Sequence, residues 1–156
     1  MHTQQANAAK EFTQASIVSG YFNPLHVGHL RMMEAARSLT GRLIVIVNND
    51  KQQLMKKGRI IIPSNDRIEI VSALKVVDEA VEAVDDDSTV QLTLRSLRER
   101  YPQARLVFAN GGDRSQVSAV AEGPLCKALD IELALGVGGT EKADASSRIN
   151  SALGCE

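Results

Sequence analysis

Four short runs of nearly unbroken apolar residues restrict the fold open to this chain: residues 15–21 (ASIVSGY), 42–48 (RLIVIVN), 105–110 (RLVFAN) and 131–137 (IELALGV). A strand with one face in water alternates apolar and polar residues. A strand covered on both faces reads as continuous aliphatic and β-branched residues, as these do. The intervening stretches carry helical spacing. Leu30, Met33, Ala36 and Leu39 share one face of residues 27–39, and Val90, Leu94 and Leu97 share one face of residues 89–101. Buried strands alternating with helices build right-handed βαβ units, which bring the C-terminal ends of all strands to one edge. The expectation is an α/β fold, a doubly wound parallel sheet of about five strands. The fifth is a short strand starting near Glu79, where residues 76–84 (VVDEAVEAV) alternate apolar and acidic.

At 156 residues and 44% hydrophobic, the chain has the size of one domain with one core. We expect that domain over residues 15–156, preceded by a polar, Ala-rich tail or short helix over residues 1–14. A net charge of −1 supplies no overall field to attract nucleic acid or a membrane surface, so any anion site is local. Aromatic residues make up 3% and Trp is absent, which argues against base-stacking surfaces. No run approaches 18 apolar residues and the N-terminus lacks a secretion-signal core, so the expected location is cytoplasmic. Cys126 and Cys155 have no CxxC spacing; Cys126 reads as core and Cys155 as an exposed tail thiol.

The chemistry gathers at the strand ends. The first run leads through Gly20, Tyr21, Phe22 and the turn residues Asn23-Pro24 into the tetrad His26-Val27-Gly28-His29. Imidazoles three residues apart on a helical turn share a face, Gly28 removes a side chain that would hold a ligand off, and a first helical turn offers unpaired N–H groups. This is an outline of a phosphate site. Residues 49–59 (NDKQQLMKKGR) read as a basic loop above it, with Lys51, Lys56, Lys57 and Arg59, followed by a helix from Ser64 to about Lys75. Asp85-Asp86-Asp87 reads as a solvated turn before a helix capped by Ser88, in preference to a metal site. The third run delivers Gly112-Asp113, where a carboxylate suits an exocyclic amine or a ribose hydroxyl. A helical stretch over residues 118–129, broken at Gly123-Pro124, leads to the last strand. Ser146, Ser147 and Arg148 open a final helix with hydroxyls and a cation suited to the far end of a triphosphate. No GxxxxGK[ST] is present, which excludes a Walker-type site.

On these residues the chain resembles the HxGH nucleotidyltransferase superfamily, and within it the small cytidylyltransferases such as glycerol-3-phosphate cytidylyltransferase. Gly20, Phe22, Asn23, His26, Gly28 and His29 satisfy the family's Gly-aromatic-[Asp/Asn]…HxGH turn, with Tyr21 inside it. The resemblance implies a Rossmann-like fold and catalytic roles for His26, His29 and Lys56. It implies nucleotide contacts at Gly20, Tyr21, Phe22, Asn23, Gly28, Gly112, Asp113, Ser146, Ser147 and Arg148. Lys75, in Lys75-Val76-Val77-Asp78, stands where the family's Arg-Tyr-Val-Asp segment begins and would bind an anionic acceptor. The implied reaction joins CMP from CTP to a small phosphate- or phosphonate-bearing acceptor, with Mg²⁺ accompanying the triphosphate and no protein ligand named for it. A homodimer with contacts near residues 75–81 is implied as well. Where the cytidylyltransferases read Arg-Thr-x-Gly-Ile-Ser, residues 140–145 read TEKADA. The alternatives are an adenylyltransferase using ATP on a sugar phosphate or related phosphate, a class that shares HxGH and a Ser-rich last helix, and a non-catalytic nucleotide-binding subunit.

Overall fold

A computed structural model describes residues 12–111, 120–138 and 146–154. Five strands, β1 (Gln14–Gly20), β2 (Leu43–Val47), β3 (Glu79–Glu82), β4 (Arg105–Gly111) and β5 (Glu132–Val137), pair in parallel in the order β3-β2-β1-β4-β5. The helices are α1 (Val27–Ser38), α2 (Asp50–Lys57), α3 (Ser64–Ser72), α4 (Gln91–Arg100), α5 (Gly123–Ala128) and α6 (Ser146–Ala152). The chain begins in the middle of the sheet, winds outward through β2 and β3, then returns to β4 and β5. The direction of winding reverses between β1 and β4, as in other doubly wound α/β sheets.

Strand β2 shows why its sequence had to be apolar throughout. All five of its residues are buried. Ile44 and Ile46 face one core, with Ile17, Leu106, Phe108, Leu94 and Leu97 of α4, and Cys126 of α5. Leu43, Val45 and Val47 face the other, with Val18, Met33 and Ala36 of α1, and Val71 of α3. Period-2 alternation thus distributes one strand between two hydrophobic layers.

Five local expectations are corrected. Residues 49–59 are not a loop: residues 50–57 form α2, because Asn49 and Gln52 make a reciprocal capping box and Gly58 closes the helix in the left-handed region at φ 76°. The helix after the acidic triplet is not capped by Ser88. Buried Asp85 accepts from the N–H groups of Leu92 and Thr93 and from the Thr93 hydroxyl. Helix α1 ends at Ser38, leaving Leu39 exposed at 44%, and α3 ends at Ser72, short of Lys75. Strand β1 begins at Gln14. The expectations for residues 1–11, for residues 118 and 119 and for Cys155 lie outside the described residues.

Candidate active site

At its C-terminal end β1 makes an abrupt exit. Phe22 adopts φ 53°, a region that bulky residues rarely enter, and the next peptide, Asn23–Pro24, is cis. The Phe22 ring turns back beneath Gly20, where a Cβ would lie 2.8 Å from the ring's Cζ; only glycine leaves that space. Phe22 is buried, and its ring meets His29 edge-on with centroids 5.0 Å apart. One aromatic side chain therefore fixes the strand end and backs an imidazole.

The two histidines cap the helix they belong to. His26 is the N-cap of α1, and its Nδ1 accepts from the Gly28 N–H at 3.1 Å. His29 Nδ1 accepts from the His26 N–H, also at 3.1 Å. The rings stack with centroids 3.8 Å apart. Because both Nδ1 atoms accept, a ring in its neutral form carries its proton on Nε2 at either position. Both Nε2–H groups are then donors that the cap does not use. Burial first, and the neighbouring His26 second, push the His29 pKa down to about 4.

This shift has a consequence for stability. Between about pH 4 and the ordinary value of 6.5 the unfolded chain binds a proton at His29 that the folded chain does not, so stability rises with pH across that window and is lost as pH falls. Denaturant titrations are expected to show the protein losing on the order of 1–2 kcal/mol from this residue between pH 6.5 and about pH 5. The variant His29→Asn should flatten that part of the dependence.

Lys56, in the last turn of α2, holds its Nζ 4.4 Å from the centroid of the Tyr21 ring, a cation–π contact at the end of β1. The structure thus brings Lys56 beside the residues that lead into the histidine turn. Tyr21 serves as its seat, and the Tyr21 carbonyl accepts from Arg67.

Asn23 is held by other parts of the chain. Its side chain is buried, with Nδ2 donating to Gln53 Oε1 at 2.5 Å and Oδ1 accepting from the Ile62 N–H at 3.2 Å. It braces the turn by joining it to α2 and to the segment before α3. Lys75 is placed elsewhere altogether. It is exposed in the connection between α3 and β3, next to Asp78, whose carboxylate accepts from Leu43 N–H at the start of β2. That is the N-terminal edge of the sheet, and the structure does not bring Lys75 to the histidines. Gly112 and Asp113 lie outside the described residues. Ser146 and Ser147 form the first turn of α6, their side chains not among those described, and Arg148 follows them, exposed.

Several residues that build the site went unnoticed in the sequence. Arg67, 1% exposed, donates to the carbonyls of Ile62 at 2.7 Å, Tyr21 at 2.9 Å and Asn48 at 2.7 Å, and to Asp50 Oδ1 at 3.0 Å. Asp50 in turn accepts from the Ser64 N–H and so caps α3, whose own N-cap Pro63 has no side-chain acceptor. Gln53 is fully buried and saturated by Asn23, Ile61, Ile62 and Asp50. Asn150, buried on α6, donates to the Asn23 carbonyl at 2.9 Å and ties the last helix to the histidine turn across 127 residues of chain. The spacing of Arg67 and Val71, both buried on α3, was the available signal for the first of these.

Among the described residues, no group of three or more His, Cys, Asp or Glu side chains is placed to hold a metal, and no helix is long and apolar enough to cross a membrane.

A doubly wound parallel sheet with an HxGH turn after its first strand defines a Rossmann-like protein of the nucleotide-handling kind. A family model described as cytidylyltransferase-like matches residues 17–122, and the chain belongs to this family. Among curated relatives, it is 41% identical over 71 residues to an FAD synthase from Archaeoglobus profundus, covering 46% of this chain and 45% of that protein. It is 35% identical over 106 residues to the bifunctional protein HldE from Methylococcus capsulatus, covering 67% of this chain and 21% of that one. The chain spans about half the length of the FAD synthases it matches. A solved structure, a lipopolysaccharide core biosynthesis protein from Thermoplasma volcanium, shares the fold with a TM-score of 0.60 and 24% identity, covering 84% of this chain and 98% of that one.

Proposed function

We propose that the protein is a nucleotidyltransferase that moves a nucleoside monophosphate from a nucleoside triphosphate onto a phosphate oxygen of a small anionic acceptor. The observation that carries this reading is the pair of stacked imidazoles at the head of α1, each fixed in place through its Nδ1 atom by the cap of the helix that follows β1. An acceptor phosphate is already ionised near neutral pH, so the reaction needs no strong base. Its oxygen attacks the α-phosphorus in line, one P–O bond forms, the bond to the β-phosphate bridge breaks, and pyrophosphate leaves with the electron pair. Catalysis is then positioning and neutralisation of growing negative charge. His26 and His29 hold the α-phosphate region, Lys56 moves off the Tyr21 ring to the phosphates, and Ser146, Ser147 and Arg148 hold the leaving group. Mg²⁺ bound to the triphosphate oxygens supplies further charge neutralisation. The donor set here, two imidazole N–H groups and an ammonium, suits an anion and leaves such a cation to the phosphates themselves.

For the donor nucleotide, we infer ATP. Relatives named FAD synthase make an adenylylated product, and residues 140–145 lack the Arg and Gly of the cytidylyltransferase segment. CTP, the donor expected from the sequence resemblance, is the second reading and is supported by the family description. Pyrophosphate release with ATP and with CTP, each offered a panel of phosphorylated acceptors, separates the two. Absence of release with both, beside measurable nucleotide binding, would favour a non-catalytic subunit. The proposal includes a homodimer; sedimentation should then return twice the 16.9 kDa chain mass.

The Asn150 tie makes a further test. Asn150→Ala removes the donor and leaves the Asn23 carbonyl buried and unpaired, at a cost of about 1–3 kcal/mol. With α6 no longer anchored to the histidine turn, the expected result is a higher KM for the nucleotide and a lower kcat.

A further inference from the structure

The two central strands stay paired for only part of their length. β1 and β4 keep register from Gln14↔Arg105 to Ile17↔Phe108. Both run on, β1 to Gly20 and β4 to Gly111. Over those last residues β1 remains bonded to β2, reaching Gly20↔Val47, and β4 to β5, reaching Gly111↔Val137. The sheet therefore opens between residues 18–20 and 109–111, at the point where its winding reverses. Doubly wound sheets take up ligands at such a crevice.

A second irregularity flanks the opening. Ala109 pairs with Ala134 but Gly111 pairs with Val137, so Leu135 and Gly136 together stand opposite the single residue Asn110. Gly136 has φ 65°, the left-handed conformation such a bulge uses. Bulges re-aim neighbouring side chains, and Asn110 carries an amide nitrogen that is shielded from solvent and has no hydrogen-bond partner. The other buried amides around the site are engaged: Asn23, Gln52 and Gln53 all donate and accept. An unpaired buried amide costs about 1–3 kcal/mol, and the few that native proteins keep call for an explanation.

We propose that Asn110 is a nucleoside-binding residue, donating from its amide to a ring nitrogen, carbonyl or hydroxyl oxygen of a base or ribose lodged in the crevice between β1 and β4. This rests on the nucleotidyltransferase reading. The division of labour follows from charge. The cation and the imidazole donors sit at the head of α1 and the end of α2, where they suit phosphates. At the β4 end Asn110 offers a neutral donor beside Ala109 and Gly111, which suits the uncharged part of a nucleotide.

Calorimetric titration of the wild type and Asn110→Ala with ATP, CTP and inorganic tripolyphosphate tests the assignment. The variant is expected to bind the preferred nucleotide at least tenfold more weakly, to bind tripolyphosphate within twofold of wild type, and to melt no lower than wild type, since it sheds an unsatisfied group. Unchanged nucleotide affinity, or an equal loss for nucleotide and tripolyphosphate, overturns it. Should the wild type bind neither ATP nor CTP, the nucleotidyltransferase reading falls and takes this proposal with it. Should the wild type bind and the variant bind equally well, only the role of Asn110 falls.

Discussion

His29→Ala is expected to lower kcat by about 10²–10³, the usual effect of removing one preorganised donor from a developing negative charge. His29 also accepts the His26 N–H and so helps to cap α1. Alanine removes both functions. Asparagine separates them: its Oδ1 stands close to where Nδ1 was and keeps the cap, while the donor at Nε2 is lost. The expected outcome is that His29→Asn unfolds near the wild-type denaturant concentration at neutral pH yet loses turnover as His29→Ala does. Pyrophosphate release under saturating nucleotide reads the rate, and near-wild-type turnover in both variants would sink the catalytic role. His26 offers no such separation, because its ring is itself the N-cap acceptor for Gly28.

How much of this was legible in the sequence depends on what each residue touches. The strands were legible because burial on both faces demands apolar residues at every position, as in β2, whereas their order in the sheet depends on which strand β4 returns to, and local sequence does not carry that. The HxGH turn was legible because its chemistry is local: both caps close within three residues. Helix α2 hides in a sequence that reads as a polar loop. Its sequence, DKQQLMKK, looks solvated, yet Gln52 and Gln53 are fully buried and neutralise their polarity by bonding to Asn48, Asp87, Thr89, Asn23, Ile61 and Ile62. Composition cannot distinguish a glutamine in water from one whose partners come from other elements. The Asn49-x-x-Gln52 box was the local clue. Asn23 shows the same dependence on distant partners. The family motif marks its position as important, and the structure shows that its side chain secures the turn by holding α2 and Ile62. Lys75 lies between a helix end and a strand start, at the edge of the sheet opposite the histidine turn, a placement its spacing in the sequence does not reveal.

Arg67→Met is expected to be the most destabilising single substitution. The guanidinium is 1% exposed and satisfies three carbonyls and one carboxylate, drawn from the ends of β1 and β2, the start of α2 and the loop before α3. Methionine fills much of the same volume and supplies no donor. Removing one partner of a buried ion pair typically costs 3–5 kcal/mol, because the groups left behind stay desolvated. Two facts place the pair Arg67–Asp50 near that range. The Asp50 side chain is 31% exposed, so water can recover part of its hydration, but the carbonyls of Tyr21 and Asn48 lose their donor inside the core. Against a typical stability of roughly 5–15 kcal/mol, such a loss threatens folding itself. Arg67→Lys therefore accompanies it. A lysine ammonium is a single point and cannot span four acceptors arranged around a planar fork, so an intermediate loss of roughly 1–3 kcal/mol is expected. Urea unfolding midpoints measure both. A loss under about 1 kcal/mol in Arg67→Met would show that the network does not hold these elements together. The kinetic counterpart is specific: Arg67 fixes the carbonyl of Tyr21, and the Tyr21 ring seats Lys56. In folded Arg67→Lys the reference point for Lys56 shifts, and kcat should fall more than KM rises if, as proposed above, that charge acts as the bond at the α-phosphorus breaks.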